Sequence, residues 1–165
     1  MKPAEVSTPD DTSVVIKRSF AAPVPLVWRA YTEAELLKQW CQGPPGWSMP
    51  VCEMDSQTGG TYQWRWKDDS SGTEFGFQGR FLDVVEHRRI EHTQVYDAGN
   101  LGIPMGGKPW IVTVEFQDAG ESTHVTTTIT FASKEDRDSS MESGMTDGME
   151  MNYQQLERTL TLAKD

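Results

Sequence analysis

Imidazole, thiol and indole groups are the parts of this 165-residue sequence whose types could support chemistry, and there are three histidines, two cysteines and six tryptophans. His92 is the most informative of them. In RIEHTQVY it shares a strand face with Ile90, Gln94 and Tyr96, because alternate residues of a strand point the same way. If Ile90 faces a core, His92 and Gln94 enter an apolar layer, where an unpartnered polar group costs about 1–3 kcal/mol. They must then bond to each other and the protein, or orient a ligand. An imidazole in such a place is also the candidate acid/base of an enzyme, since it titrates near neutral pH. His87 falls in a turn. His124 points away from the face shared by Val125, Thr127, Ile129 and Phe131. No His/Cys pair has metal-ligand spacing, and no dinucleotide fingerprint, P-loop or nucleophile elbow is present, so neither metal nor cofactor is expected. No paired carboxylates accompany His92. The enzymatic reading rests on one residue, and the balance is against catalysis. Cys41 and Cys52 read as free thiols, with a Cys41–Cys52 bridge as the alternative.

The second constellation is apolar. TYQWRW places Tyr62, Trp64 and Trp66 on one face, and FGFQGRFLDVV does the same for Phe75, Phe77, Gly79 and Phe81. WIVTVEF adds Val112 and Val114. Toward the C-terminus Met141, Met145 and Met149 run at a spacing of four beside Gly144 and Gly148, and Tyr153, Leu156 and Leu160 continue the stripe. Methionine fills cores and also lines adaptable apolar sites. The glycines have two readings: close packing of a helix, or room left beneath it. Trp40 and Trp47 flank the CQGPPG loop and are placed to close one end. The candidate ligand contacts are therefore Trp40, Trp47, Tyr62, Trp64, Trp66, Phe77 and Phe81 on one side. Val112, Val114, Met145, Met149 and Tyr153 complete the walls, with His92 and Gln94 as the directional groups.

These residues need a scaffold. VVIKRSF is a short β-branched strand, and APVPLVWRAYTEAELLKQW is a helical pair broken near Thr32–Glu33. Six strands follow as a meander with tight turns. Ser133 with Asp136, and Ser139 with Glu142, both fit helix-start signals, implying a short helix, a break near Ser143–Gly144 and a long helix to about Ala163. The result is an α+β domain over residues 14–165, preceded by a flexible polar tail at 1–13.

A formal charge of −10 argues against a nucleic-acid surface, which needs a basic patch. No apolar run spans a bilayer, and no signal-peptide core opens the chain, so a cytoplasmic protein without membrane insertion is expected. Monomer and homodimer are both compatible with the sequence.

The segments WCQGPPGWSMPVCEMD, TGGTYQWRW, GFQGRFLDVVEHRRIEHT, PWIVTVEF and GMTDGMEMNYQQLERTL together resemble the family named after the activator of the heat-shock-protein-90 ATPase, within the START-like, Bet v 1-type superfamily. The resemblance runs from about Val14 to Leu162. It implies a helix-grip fold: a curved seven-stranded antiparallel sheet around a long C-terminal helix, two short helices after the first strand, and a cavity between sheet and helix. Three functions are then open. They are binding of an apolar or aromatic small molecule, a co-chaperone-like or regulatory interaction module linked to stress response, and a cyclase- or aromatase-like enzyme. The interaction reading would use the GNLGIPMGGKP loop and Met151. The sequence itself carries no motif for a chaperone partner. One departure stands out: Gln57 replaces an arginine often found two residues after the aspartate matching Asp55, which removes a salt bridge from that turn.

Overall fold

The computed structural model describes residues 2–97 and 108–164. The chain runs β1 (Glu5–Ser7), β2 (Ser13–Phe20), α1 (Val24–Thr32), α2 (Ala34–Trp40), β3 (Trp47–Met54), β4 (Thr61–Asp68), β5 (Glu74–Val85), β6 (Arg89–Asp97), β7 (Trp110–Ala119), β8 (Ser122–Thr130), α3 (Lys134–Glu142) and α4 (Met145–Lys164). All strands join one antiparallel sheet in the order β1-β2-β8-β7-β6-β5-β4-β3. The six strands β3 to β8 are the expected meander. β2 pairs with the last of them, Val14 facing Ile129. Most of the GNLGIPMGGKP loop lies outside the described residues.

Among the described residues the sheet has eight strands, not seven. The extra strand, β1, comes from the polar stretch expected as a tail, with Val6 opposite Ile16. Its residues are all exposed. It is held by backbone pairing to the open edge of β2, which needs no apolar side chains and so leaves no hydrophobic pattern. The Asp10 carboxylate then takes the N–H groups of Thr12 (2.9 Å) and Ser13 (2.8 Å), turning the chain into β2.

α1 and α2 break at Glu33, as the sequence indicates. α3 is a fourth helix beyond the three of the helix-grip expectation. Ser133 caps it, its hydroxyl accepting from the Asp136 N–H at 3.1 Å. Ser139 caps nothing, because it already lies inside α3. The chain reverses at Gly144, whose φ of +85° is the left-handed conformation that ends many helices. Gln57 does not leave its turn loose: its amide donates to Asp55 Oδ2 at 3.0 Å, standing in for the expected salt bridge.

The core lies between the inner sheet face and the helices. Tyr153, Leu156 and Leu160 of α4 bury there with Ile16, Phe20, Val114 and Val125. Each such side chain contributes about 1.5–3 kcal/mol. α4 is also fastened to β2 by charge. Arg18 is 3% exposed, and it donates to Glu150 at 3.1 Å, to Glu157 at 2.6 Å and to the Ser19 carbonyl at 2.9 Å. Glu150 also accepts the Ala4 N–H at 2.8 Å, so the segment before β1 meets the same carboxylate.

Candidate binding site between the sheet and α4

Alternation in β4 and β5 delivers the aromatic wall. Tyr62 and Trp64 pack at 4.2 Å between ring centres, and Trp64 meets Trp66 edge-on at 6.5 Å. Trp66 contacts Phe77, Phe77 contacts Trp110, and Trp110 sits edge-on to Phe131 at 4.6 Å. Tyr62, Trp66 and Phe81 are buried, whereas Trp64, Phe77 and Trp110 are only half-buried. The wall therefore faces something less closely packed than the core behind it.

His92 points inward, 5% exposed, with Tyr62, Trp64 and Phe81 around its ring. What places it is an opening in the ladder between β5 and β6. Gln78 pairs with Val95 and Phe81 with His92, but Gly79 and Arg80 skip their partners. The Arg80 N–H goes instead to the Thr93 hydroxyl at 2.9 Å. The freed Thr93 carbonyl accepts from the Tyr62 hydroxyl at 2.5 Å and from His92 Nδ1 at 2.9 Å. A carbonyl only accepts, so the proton of neutral His92 is on Nδ1. Gly79 is required here: a Cβ would lie 2.1 Å from the Thr93 carbonyl oxygen. Burial pushes the imidazole pKa down to about 4, against a smaller upward pull from the Thr93 bond. Near neutral pH the ring is therefore an uncharged acceptor at Nε2. Among the described hydrogen bonds and ion pairs, none joins it to a carboxylate.

On the helix side, Met145, Met149, Tyr153, Leu156 and Leu160 form the inward stripe. At 100° per residue Glu150 and Glu157 lie on one flank, held by Arg18, and Gly148 and Asn152 lie on the other. The Asn152 amide reaches Cys41 Sγ at 3.8 Å, and the Cys41 carbonyl takes the Trp66 N–H at 2.6 Å. Gly148, one turn before Asn152, is half-buried, yet a Cβ built on it meets nothing within 4 Å. Close packing is thus not the reason for this glycine.

The structure brings Tyr62, Trp64, Trp66, Phe77, Phe81 and His92 into one connected layer. Val112, Val114 and Tyr153 are buried in the core beneath α4, and burial raises the Tyr153 hydroxyl above its ordinary pKa while a Thr127 bond lowers it. Gln94 is half-buried on His92's face, opposite Trp110 in register. Trp40 is committed to the fold, its N–H donating to the Ala30 carbonyl at 2.9 Å and its ring against Tyr31. Trp47 stands at the sheet edge on Phe75. The sequence reading passed over Trp110, although it shares parity with Val112 and Val114, and over Asn152. Two polar atoms in this region are buried without a hydrogen-bond partner among the described residues, Trp64 Nε1 and the Tyr31 hydroxyl. Burial raises the Tyr31 pKa well above the ordinary value.

Two hollows have linings of a different character. An open trough of about 660 Å³ is lined mainly by Glu53, Gln63, Gln78, Arg80 and Thr93, and it also borders Met54, Tyr62 and Gly79. The first five alternate with the inward residues of their strands, so the trough opens mainly on the outer face of the sheet. A hollow of about 80 Å³ sits between α1, α2 and α4. The described residues contain no cluster suited to a metal, and no helix long and apolar enough to cross a membrane.

A family model described as Activator of Hsp90 ATPase homolog 1-like protein matches residues 21–161. A solved structure from Rhodobacter sphaeroides superposes with a TM-score of 0.87 at 25% identity, covering 98% of this chain and 99% of that one. One from Nitrosomonas europaea gives 0.80 at 29% identity, over 95% and 99%. An HSP90 activator from Plasmodium falciparum gives 0.53 at 21% identity over 72% of each chain, a likeness of fold. Comparison with curated proteins finds no match.

Proposed function

The chain belongs to the family of activator of Hsp90 ATPase homolog 1-like proteins, within the START-like superfamily, and on that footing we propose that it binds an apolar, aromatic small molecule between the sheet and α4. The observation that carries this is half-buried Gly148, where an added Cβ would meet no atom within 4 Å, on the helix flank linked through Asn152 and Cys41 to Trp66. Half-buried Trp64, Phe77, Trp110, Met145 and Met149 support it. A closed core would bury such side chains completely. Apolar walls with few polar groups are the usual make-up of small-molecule sites.

A catalytic role for His92 has less support, since its Nδ1 is engaged by a backbone carbonyl and no second acid or base among the described residues bonds to it.

The test is native mass spectrometry of the purified chain, then organic extraction and titration with apolar aromatic probes. A bound species or probe at fixed stoichiometry is the expected result. Gly148→Leu should fill the space and abolish binding without unfolding the protein. If no probe of the panel binds to folded protein, the proposal is wrong, and protein partners become the question.

A further inference from the structure

Two ring nitrogens on the inner sheet face have complementary hydrogen-bonding needs, and one of them, Trp64 Nε1, is buried without a partner among the described residues. Trp64 Nε1–H is a donor with no acceptor among the described residues. His92, with its proton on Nδ1 and directed at the Thr93 carbonyl, presents a bare acceptor at Nε2. The two rings meet at 5.8 Å between centres, with their planes at 84°. Edge contact of the two rings puts both nitrogens in one neighbourhood, the setting in which one shared oxygen can join a donor to an acceptor. One group can therefore serve both atoms if it accepts and donates at the same oxygen.

We propose that the ligand carries a neutral hydroxyl on its aromatic body, the oxygen accepting from Trp64 Nε1–H and the O–H donating to His92 Nε2. This rests on the binding reading above and narrows it. An ether or ketone oxygen accepts from the indole but brings lone pairs against Nε2. A carboxylate does the same and also buries a charge without a counter-ion, because the buried cation Arg18 of β2 is already held by Glu150 and Glu157. Plain hydrocarbon leaves both protein atoms unsatisfied. The pair thus selects for a phenol-like or alcohol-bearing apolar molecule over isosteres that lack the hydroxyl.

The test is calorimetric titration of the full chain at neutral pH with four probes: 2-naphthol, naphthalene, 2-methoxynaphthalene and 2-naphthoate. The expected order places 2-naphthol about tenfold or more tighter than the other three, the usual effect of leaving a buried partner unpaired. Trp64→Phe and His92→Leu should each bring the ratio of 2-naphthol to naphthalene affinity toward one, with naphthalene still bound. Equal affinities across the probes would overturn the hydroxyl assignment and leave binding itself standing, as they would if a water molecule already bridges the two nitrogens. Tightest binding of 2-naphthoate would also overturn it, pointing to a cation. Failure of all four to bind would remove the binding reading together with this one. If a variant fails to fold, the four-probe series on the native chain still decides.

Discussion

Replacing Gly148 by alanine should make the protein more stable. A glycine inside a helix costs about 1 kcal/mol relative to alanine, and somewhat less near a terminus. Gly148 is the fourth residue of α4. The new methyl meets no atom within 4 Å, so no steric cost offsets the gain. The expected gain is about 0.5–1 kcal/mol. For a chain of this size 1 kcal/mol shifts Tm by about 2–4 °C, so a rise of about 1–4 °C should appear by calorimetry. The urea midpoint should rise with an unchanged m-value. Gly144→Ala is the matched control. Its Cβ also meets open space, but φ is +85°, a conformation costing an L-residue about 1–2 kcal/mol. The same chemical change four residues apart should therefore have opposite signs. A loss of 1 kcal/mol or more on Gly148→Ala would mean that α4 is tightly packed there. The space on which ligand binding was argued would then not exist.

Three further outcomes are expected. Gly79→Ala forces a Cβ against the Thr93 carbonyl and displaces the Tyr62 bond. It should cost about 2–4 kcal/mol in urea unfolding, and a neutral result would contradict the ladder geometry. His92 should titrate by NMR near pH 4, not 6.5. Between those values the unfolded chain holds the proton and the folded chain does not, so stability should rise with pH across that window by on the order of 3 kcal/mol. His92→Leu should flatten the slope. Burial, with a lesser push from Cys52, raises the Cys41 thiol to about 12, so native protein at pH 8 should leave Cys41 unlabelled by a disulfide reagent until it unfolds.

Features with a two-residue period were readable from the sequence. Tyr62, Trp64 and Trp66 needed only alternation, and His92 followed Ile90 inward. Arg18 carried a signal that went unused: it has the parity of Val14, Ile16 and Phe20, so β2 must turn it toward the core. β1 had no such signal, because its attachment is through backbone groups alone. The Tyr62–Thr93 bond was also out of reach, since it crosses β5 to join β4 with β6 and depends on the ladder opening at Gly79. The space at Gly148 depends on the volumes of surrounding side chains, which spacing does not encode. The helix break, by contrast, was legible, because Ser133 and Gly144 are local signals.

The pairing of β2 with β8 also has a consequence in time. A ribosome releases Val14 long before Ile129, its partner in the sheet. At ordinary synthesis rates, the intervening residues take on the order of ten seconds to appear. Throughout that interval β2 has only the three-residue β1 to pair with, and Arg18 has neither Glu150 nor Glu157 to meet. The strands from β3 onward, each hairpin-linked to the next, can pair as they emerge. Closure of β2 against β8, followed by docking of α4 over Arg18, falls to the end of synthesis. Until then β2 is held on one edge alone, by its pairing with β1.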